Sequence, residues 1–188
     1  PVEKYLPEFK GQMLVAEKTP EKLVLQKPAR PITVKDLLTH SSGLTGKSPL
    51  ETEALDVLTL REAVYSYALS PLQFEPGSKW SYCNPGINTL GRLIEVIGGK
   101  PYAEFMETRL FKPLGIEGAE WPTGQDGVPN GAAELRLTAP DLLRIGQLVR
   151  AGGLWQGRQV VPAAFVKEAT TRKIDTGQPV QIGRASCR

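Results

Sequence analysis

Residues 74–114 read FEPGSKWSYCNPGINTLGRLIEVIGGKPYAEFMETRLFKPL, a reverse turn followed by two helical patterns, and this stretch decides the fold. Phe74-Glu75-Pro76-Gly77-Ser78 carries turn chemistry: proline fixes φ and glycine accepts positive φ, so the chain reverses before Trp80. Pro85 suits the first position of a helix, where its missing N–H costs nothing, and that makes Asn84 the expected N-cap. Apolar residues then recur at three- and four-residue spacing through Ile87, Leu90, Gly91, Ile94, Val96 and Ile97 until Gly98 and Gly99 stop the helix. Tyr82 stands two residues before the expected cap. Its ring can therefore reach the helix mouth, where free N–H groups and the positive end of the dipole gather.

Two readings fit these residues. In the structural one, Asn84 is a cap and Tyr82 is a half-buried aromatic with a satisfied hydroxyl. In the functional one, Tyr82 is a general base or acid whose pKa is lowered by nearby positive charge, and Asn84 orients a substrate amide. Spacing does not choose between them.

Outward from this stretch the chain is mainly helical. Met13 to Ala16 and Leu23 to Gln26 alternate enough for a short hairpin turning at Thr19-Pro20-Glu21. Thr33 caps a short helix over Val34 to Thr39, with Asp36 near its start and Gly43 after its end. Further helices are expected over Leu58 to Leu69, over Tyr102 to Phe111 with Pro113 closing it, over Ala139 to Val149 with Pro140 at its first position, and from Pro162 through Ala169. Gly115 to Gly131 carries five glycines and two prolines without periodicity, so it reads as a loop long enough to suspect function. Gln26 to Pro31 and Asp175 onward look like linkers.

His40 sits beside Ser41 and Ser42, which invites a catalytic reading, but members of a proton-transfer triad are usually distant in the chain. The expectation is structural: His40 and the serines close the helix end and hold the Gly43 turn. Trp80, Trp121 and Trp155 read as packing residues, Trp121 in the glycine-rich loop being the one that could serve as a substrate platform.

Composition narrows the function classes. At 188 residues and 40% hydrophobic content the chain can build one domain or most of one. The net charge of +3 is scattered with no Lys/Arg block, which argues against a nucleic-acid role. No run of about eighteen apolar residues exists to span a membrane. The two cysteines make no disulfide framework, and the single histidine with no Cys pair at ligand spacing argues against a metal site.

Phe74 to Ser78, the Tyr82-Cys83-Asn84 triplet, Gly86 to Gly91, Ile94, Gly98 and Phe111-Lys112-Pro113-Leu114-Gly115-Ile116 together resemble the serine β-lactamase-related family, which includes class C β-lactamases, D-Ala-D-Ala carboxypeptidases and related esterases. Two further stretches resemble it in the family's order. Upstream lies Ile32 to Leu44; downstream lie Asn130-Gly131-Ala132-Ala133, Leu137 to Arg144 and Gly152 to Gly157. The resemblance implies an α+β fold, a helical region packed on an antiparallel sheet, of which this chain would be mostly the helical region with a short β-hairpin. It implies acyl transfer to a serine in a Ser-x-x-Lys motif, assisted by a Tyr-x-Asn triplet and a Lys-Thr-Gly or His-x-Gly strand. Carried onto this sequence, Tyr82 would assist proton transfer to and from the serine, and Asn84 would bind the substrate or the catalytic lysine. The substrate would be a small molecule or peptide, no cofactor or metal is needed, and export to the periplasm or medium is favoured.

The nucleophile motif is not found. No serine in the chain is followed three residues later by lysine. Thr19-Pro20-Glu21-Lys22 and Thr170-Thr171-Arg172-Lys173 share the spacing with threonine but read as coincidence. Asp175-Thr176-Gly177 mimics the strand motif without its cation. Pro1 to Phe9 resembles the segment that follows the Ser-x-x-Lys helix, so the expectation is an internal piece: residues 1–182 form a partial domain, and 183–188 are a foreign or frameshifted tail. A non-catalytic binding protein on the same fold is the alternative.

Overall fold

The computed structural model describes residues 1–45, 58–124, 127–129, 131–132 and 134–176. The expected tail at 183–188, together with Asn130, Ala133 and Gly177 of the quoted motifs, lies outside the described residues.

The N-terminal hairpin forms, with its second strand as expected and its first running from Leu14 to Lys18 rather than from Met13 to Ala16. Strand β1 (Leu14–Lys18) pairs antiparallel with β2 (Leu23–Gln26), with an irregularity between Val15 and Glu17. The other edge of β1 is covered by the chain around Leu72: the Val15 N–H donates to the Leu72 carbonyl at 2.8 Å, and the Leu72 N–H donates to that of Met13 at 2.7 Å. Two single 3-10 turns, Val2–Lys4 and Pro7–Phe9, precede the hairpin and drive Val2, Leu6 and Phe9 into the core.

Helices α1 (Val34–Leu38) and α2 (Leu60–Leu69) start at capping boxes, Thr33 with Asp36 and Thr59 with Glu62. In each, the threonine hydroxyl accepts the amide three residues on and the carboxylate answers the threonine N–H, so two orphan donors are satisfied at once. Helix α3 (Asn84–Gly98) packs against α1, α2 and α4 (Tyr102–Met106) and is the spine of the molecule. Its buried face, with Leu37, Val64, Tyr67, Leu72 and Leu93, makes the larger core. A second cluster of Phe111, Leu114, Ile116 and Leu148 joins it through Met106 and Trp121, which pack against both.

Pro113 does not close the fourth helix. After α4 the chain widens into a π turn, Glu107–Phe111, and then makes one more turn, α5 (Lys112–Leu114), that contains Pro113. Proline cannot donate into the ladder, and the π turn takes up that discontinuity. The stop falls on Gly115, in the left-handed region at φ 66. Helix α6 (Ala139–Arg150) is capped by Thr138, and α7 (Ala163–Ala169) follows Pro162. Between them stands a hairpin that the sequence reading lacked: β3 (Leu154–Trp155) paired with β4 (Arg158–Gln159). Strands this short carry too little alternation to be read.

Candidate active site

The start of α3 is built differently from the sequence expectation. Cys83, extended at φ −149 and ψ 103, is the N-cap, and Asn84 is already the first helical residue. No side chain caps this end, so Asn84 does not cap the helix. The shift follows from Pro85: proline is tolerated at the second helical position as well as the first, since both lack intrahelical acceptors. Asn84 is thereby freed from capping and lies exposed. Tyr82 is 61% exposed, which removes the half-buried packing role. Cys83 between them points inward, its thiol against the carbonyls of Leu44 at 3.7 Å and Thr45 at 3.6 Å.

Two of the three quoted stretches run side by side. The Gly77 N–H donates to the Ser41 carbonyl at 2.7 Å, and the Gln73 N–H donates to the Gly43 carbonyl at 2.7 Å. Gly43 sits at φ 81, and an added Cβ there would be driven into the Phe74 carbonyl oxygen, so both conformation and space require glycine. The Ser81 N–H donates to the His40 carbonyl at 2.9 Å and the Cys83 N–H to His40 Nδ1 at 3.2 Å. Ser41 and Ser42 are buried in the turn, Ser41 Oγ bonding Thr39 Oγ1 at 2.8 Å and Ser42 Oγ accepting the Leu44 N–H at 3.3 Å. The serines thus hold the turn as expected. His40 does more than close α1: its ring lies 4.9 Å from that of Tyr82 and edge-on to Trp80.

Below this seam is an ionic anchor. Asp36, 4% exposed, accepts from Arg30 Nη1 at 2.6 Å and Nη2 at 2.9 Å, and from the Thr33 N–H at 2.8 Å and hydroxyl at 2.7 Å. Burial alone would raise its pKa, but the Arg30 and Thr33 bonds outweigh burial and hold it below its usual value. Glu75 of the turn accepts the Ala29 N–H at 3.0 Å, tying the same segment to the 74–78 reversal.

The third stretch reaches α3 one turn further on. Asn88 is buried; its Oδ1 accepts the Ala132 N–H at 3.1 Å and its Nδ2 donates to the Tyr67 hydroxyl at 3.3 Å. The glycine-rich loop is pinned by Tyr102, whose hydroxyl donates to the Pro129 carbonyl at 2.6 Å, and Trp121 stands edge-on to Tyr102 at 5.1 Å. Trp121 is accordingly a packing residue. Neither Asn88 nor the His40 bridge was legible beforehand: an Asn inside a helix and a His after one carry no sign of their distant partners.

The functional reading wanted positive charge beside Tyr82. The adjacent imidazole is a poor source of it, because burial pushes His40 below its ordinary pKa of 6.5. Among the described residues no group of three His, Cys, Asp or Glu is placed to hold a metal ion, and no helix is long and apolar enough to cross a membrane.

The helix-rich unit with its short antiparallel hairpins has the β-lactamase/transpeptidase-like fold of the solved structures it matches. The sequence profile of the Beta-lactamase family matches residues 1–185, and the chain belongs to that family. It is 34% identical over 137 residues to a lovastatin esterase of Penicillium rubens, a match covering 67% of this chain and 33% of the relative. It is 28% identical over 158 residues to penicillin-binding protein 4 of Amycolatopsis lactamdurans, covering 79% of this chain and 40% of the relative. The crystal structure of a penicillin-binding protein homologue from Caulobacter crescentus superposes with a TM-score of 0.69 at 18% identity, covering 92% of this chain and 54% of the other, which establishes the fold. The chain thus spans roughly a third to two fifths of the length of these two curated relatives.

Proposed function

We propose that these residues form the helical part of a serine hydrolase that works through an acyl-serine intermediate on a β-lactam, a D-amino-acid peptide or a short-chain ester. The observation that carries the reading is the exposed phenol of Tyr82, fixed by backbone bonds on either side and next to an exposed Asn84. A packing tyrosine would be buried there. In this reaction a serine Oγ adds to the substrate carbonyl while its proton leaves by way of the Tyr82 hydroxyl and is delivered to the departing amine or alkoxide. Water then cleaves the acyl-serine ester, releasing the acid and restoring the hydroxyl. Asn84 binds the substrate or the lysine that partners the serine. An esterase and a penicillin-binding protein among the relatives support the ester and β-lactam ends of this substrate range.

No Ser-x-x-Lys occurs in the 188 residues, so on this reading the nucleophile belongs to a longer parent and the 188-residue chain alone is inactive. The same absence favours a second reading, a non-catalytic binding protein on this fold. The test is to assay the parent and the 188-residue chain with a chromogenic β-lactam and a short-chain nitrophenyl ester. The parent is expected to turn over one of them, and Tyr82→Phe to cut that rate by about 100-fold with little change in melting temperature. An unchanged rate makes Tyr82 structural. Turnover by the 188-residue chain that a serine-directed inhibitor abolishes sinks the inactive-chain proposal, and a parent that lacks Ser-x-x-Lys and reacts with neither reporter is the binding protein.

A further inference from the structure

We propose that His40 is the positioning residue for Tyr82, holding the phenol by bonding the amides on both sides of it. The inference rests on the reading of Tyr82 as the proton-transfer group. Tyr82 is flanked by two backbone donors, the N–H groups of Ser81 and Cys83, and His40 accepts both: its carbonyl takes the first at 2.9 Å and its Nδ1 the second at 3.2 Å. The imidazole also lies 4.9 Å from the phenol ring, inclined at 33°. A largely exposed side chain has little packing to fix its direction, so the backbone bonds and this one ring contact set where the hydroxyl points.

The conformation of His40 serves the same end. It sits at φ 53, in the left-handed region that residues other than glycine mostly avoid, and this turns both its carbonyl and its ring toward residues 81–83. The chain on either side is tied to α1, the His40 N–H to the Leu37 carbonyl and the Ser41 N–H to that of Asp36. An acceptor at Nδ1 places the proton of the neutral ring on Nε2. A doubly protonated ring has no lone pair to offer the Cys83 N–H. Around the ring stand Trp80, the Tyr82 phenol and Cys83, whose thiol turns away to Leu44 and Thr45; from α1, the Asp36 carboxylate is engaged by Arg30 and Thr33.

His40 is the only histidine in the chain, so its imidazole nitrogens give a single unambiguous NMR signature. In the 188-residue chain the Nε2–H tautomer is expected, with the Cys83 amide and Tyr82 ring resonances moving at the midpoint of the imidazole titration. An Nδ1–H tautomer, or a Cys83 amide indifferent to that titration, overturns the proposal. The kinetic arm uses the parent. His40→Asn keeps an acceptor near the Nδ1 position and tolerates positive φ, so it should retain kcat within a few-fold. His40→Leu should lower kcat by about tenfold or more with KM nearly unchanged. Full kcat in His40→Leu, alongside loss in Tyr82→Phe, overturns the positioning role and leaves the reading of Tyr82 standing; full activity in Tyr82→Phe overturns both.

Discussion

Replacing Asp36 by asparagine removes one charge from the anchor beneath the candidate site and almost no volume. The carboxylate accepts four bonds: Arg30 Nη2 on Oδ1, and Arg30 Nη1 with the Thr33 N–H and hydroxyl on Oδ2. With its carbonyl oxygen at the Oδ2 position, asparagine keeps three of these, but its NH₂ group then faces a guanidinium donor. Breaking a buried ion pair costs about 3–5 kcal/mol when the stranded charge stays buried. Arg30 is 43% exposed and can turn to water, so the lower figure is the better guide, and we expect about 2–3 kcal/mol. In a chain of this size that corresponds to a melting temperature lower by roughly 5–10 °C.

The pH dependence supplies an internal control. Asp36 is held below its usual value of 3.8 in the folded state, so its contribution is fully present above that value and is lost as pH falls through the lower folded pKa. Urea unfolding of wild type and Asp36→Asn followed by near-ultraviolet circular dichroism should therefore show a wide gap at neutral pH that closes in acid. A difference under about 0.5 kcal/mol at neutral pH, or a gap that acid leaves intact, would refute the assignment of this carboxylate as the anchor.

Two further outcomes follow from the geometry. Asn84→Ala should leave stability unchanged or raise it by up to about 0.5 kcal/mol, since Asn84 is a helical residue and alanine is the better helix former, while turnover of the parent falls; a loss near 1 kcal/mol in urea unfolding would reinstate a capping role. Gly43→Ala should cost about 2–3 kcal/mol by the same measurement, because it combines positive φ with a collision against the Phe74 carbonyl, and a neutral effect would contradict the close approach of these two segments.

Local signals were legible and distant ones were not. The Thr33 cap, the Leu23–Gln26 strand and the Gly98 end of α3 could be read because each depends on residues within one or two turns of itself. The cap of α3 was misplaced by one residue, since Pro85 is equally at home at the first or second helical position and only the extended backbone of Cys83 decides. Pro113 misled because a π turn, invisible in apolar periodicity, let the helix run on to Gly115. The triplet itself stood out in the sequence; its surroundings did not.

By itself the sequence determined the family, the run of helices around the first short hairpin, and the Tyr82-Cys83-Asn84 motif at the start of the central helix, because motifs, caps and apolar spacing are properties of neighbouring residues. Only the tertiary structure decided that Tyr82 is exposed and that Asn84 does not cap the helix, that burial lowers the pKa of the imidazole beside them, and that His40, Asn88 and Glu75 bind the separate stretches together. Those facts rest on burial and on hydrogen bonds between residues forty or more positions apart, as between His40 and Cys83 or Asn88 and Ala132, and such partners are set by packing that no local pattern encodes.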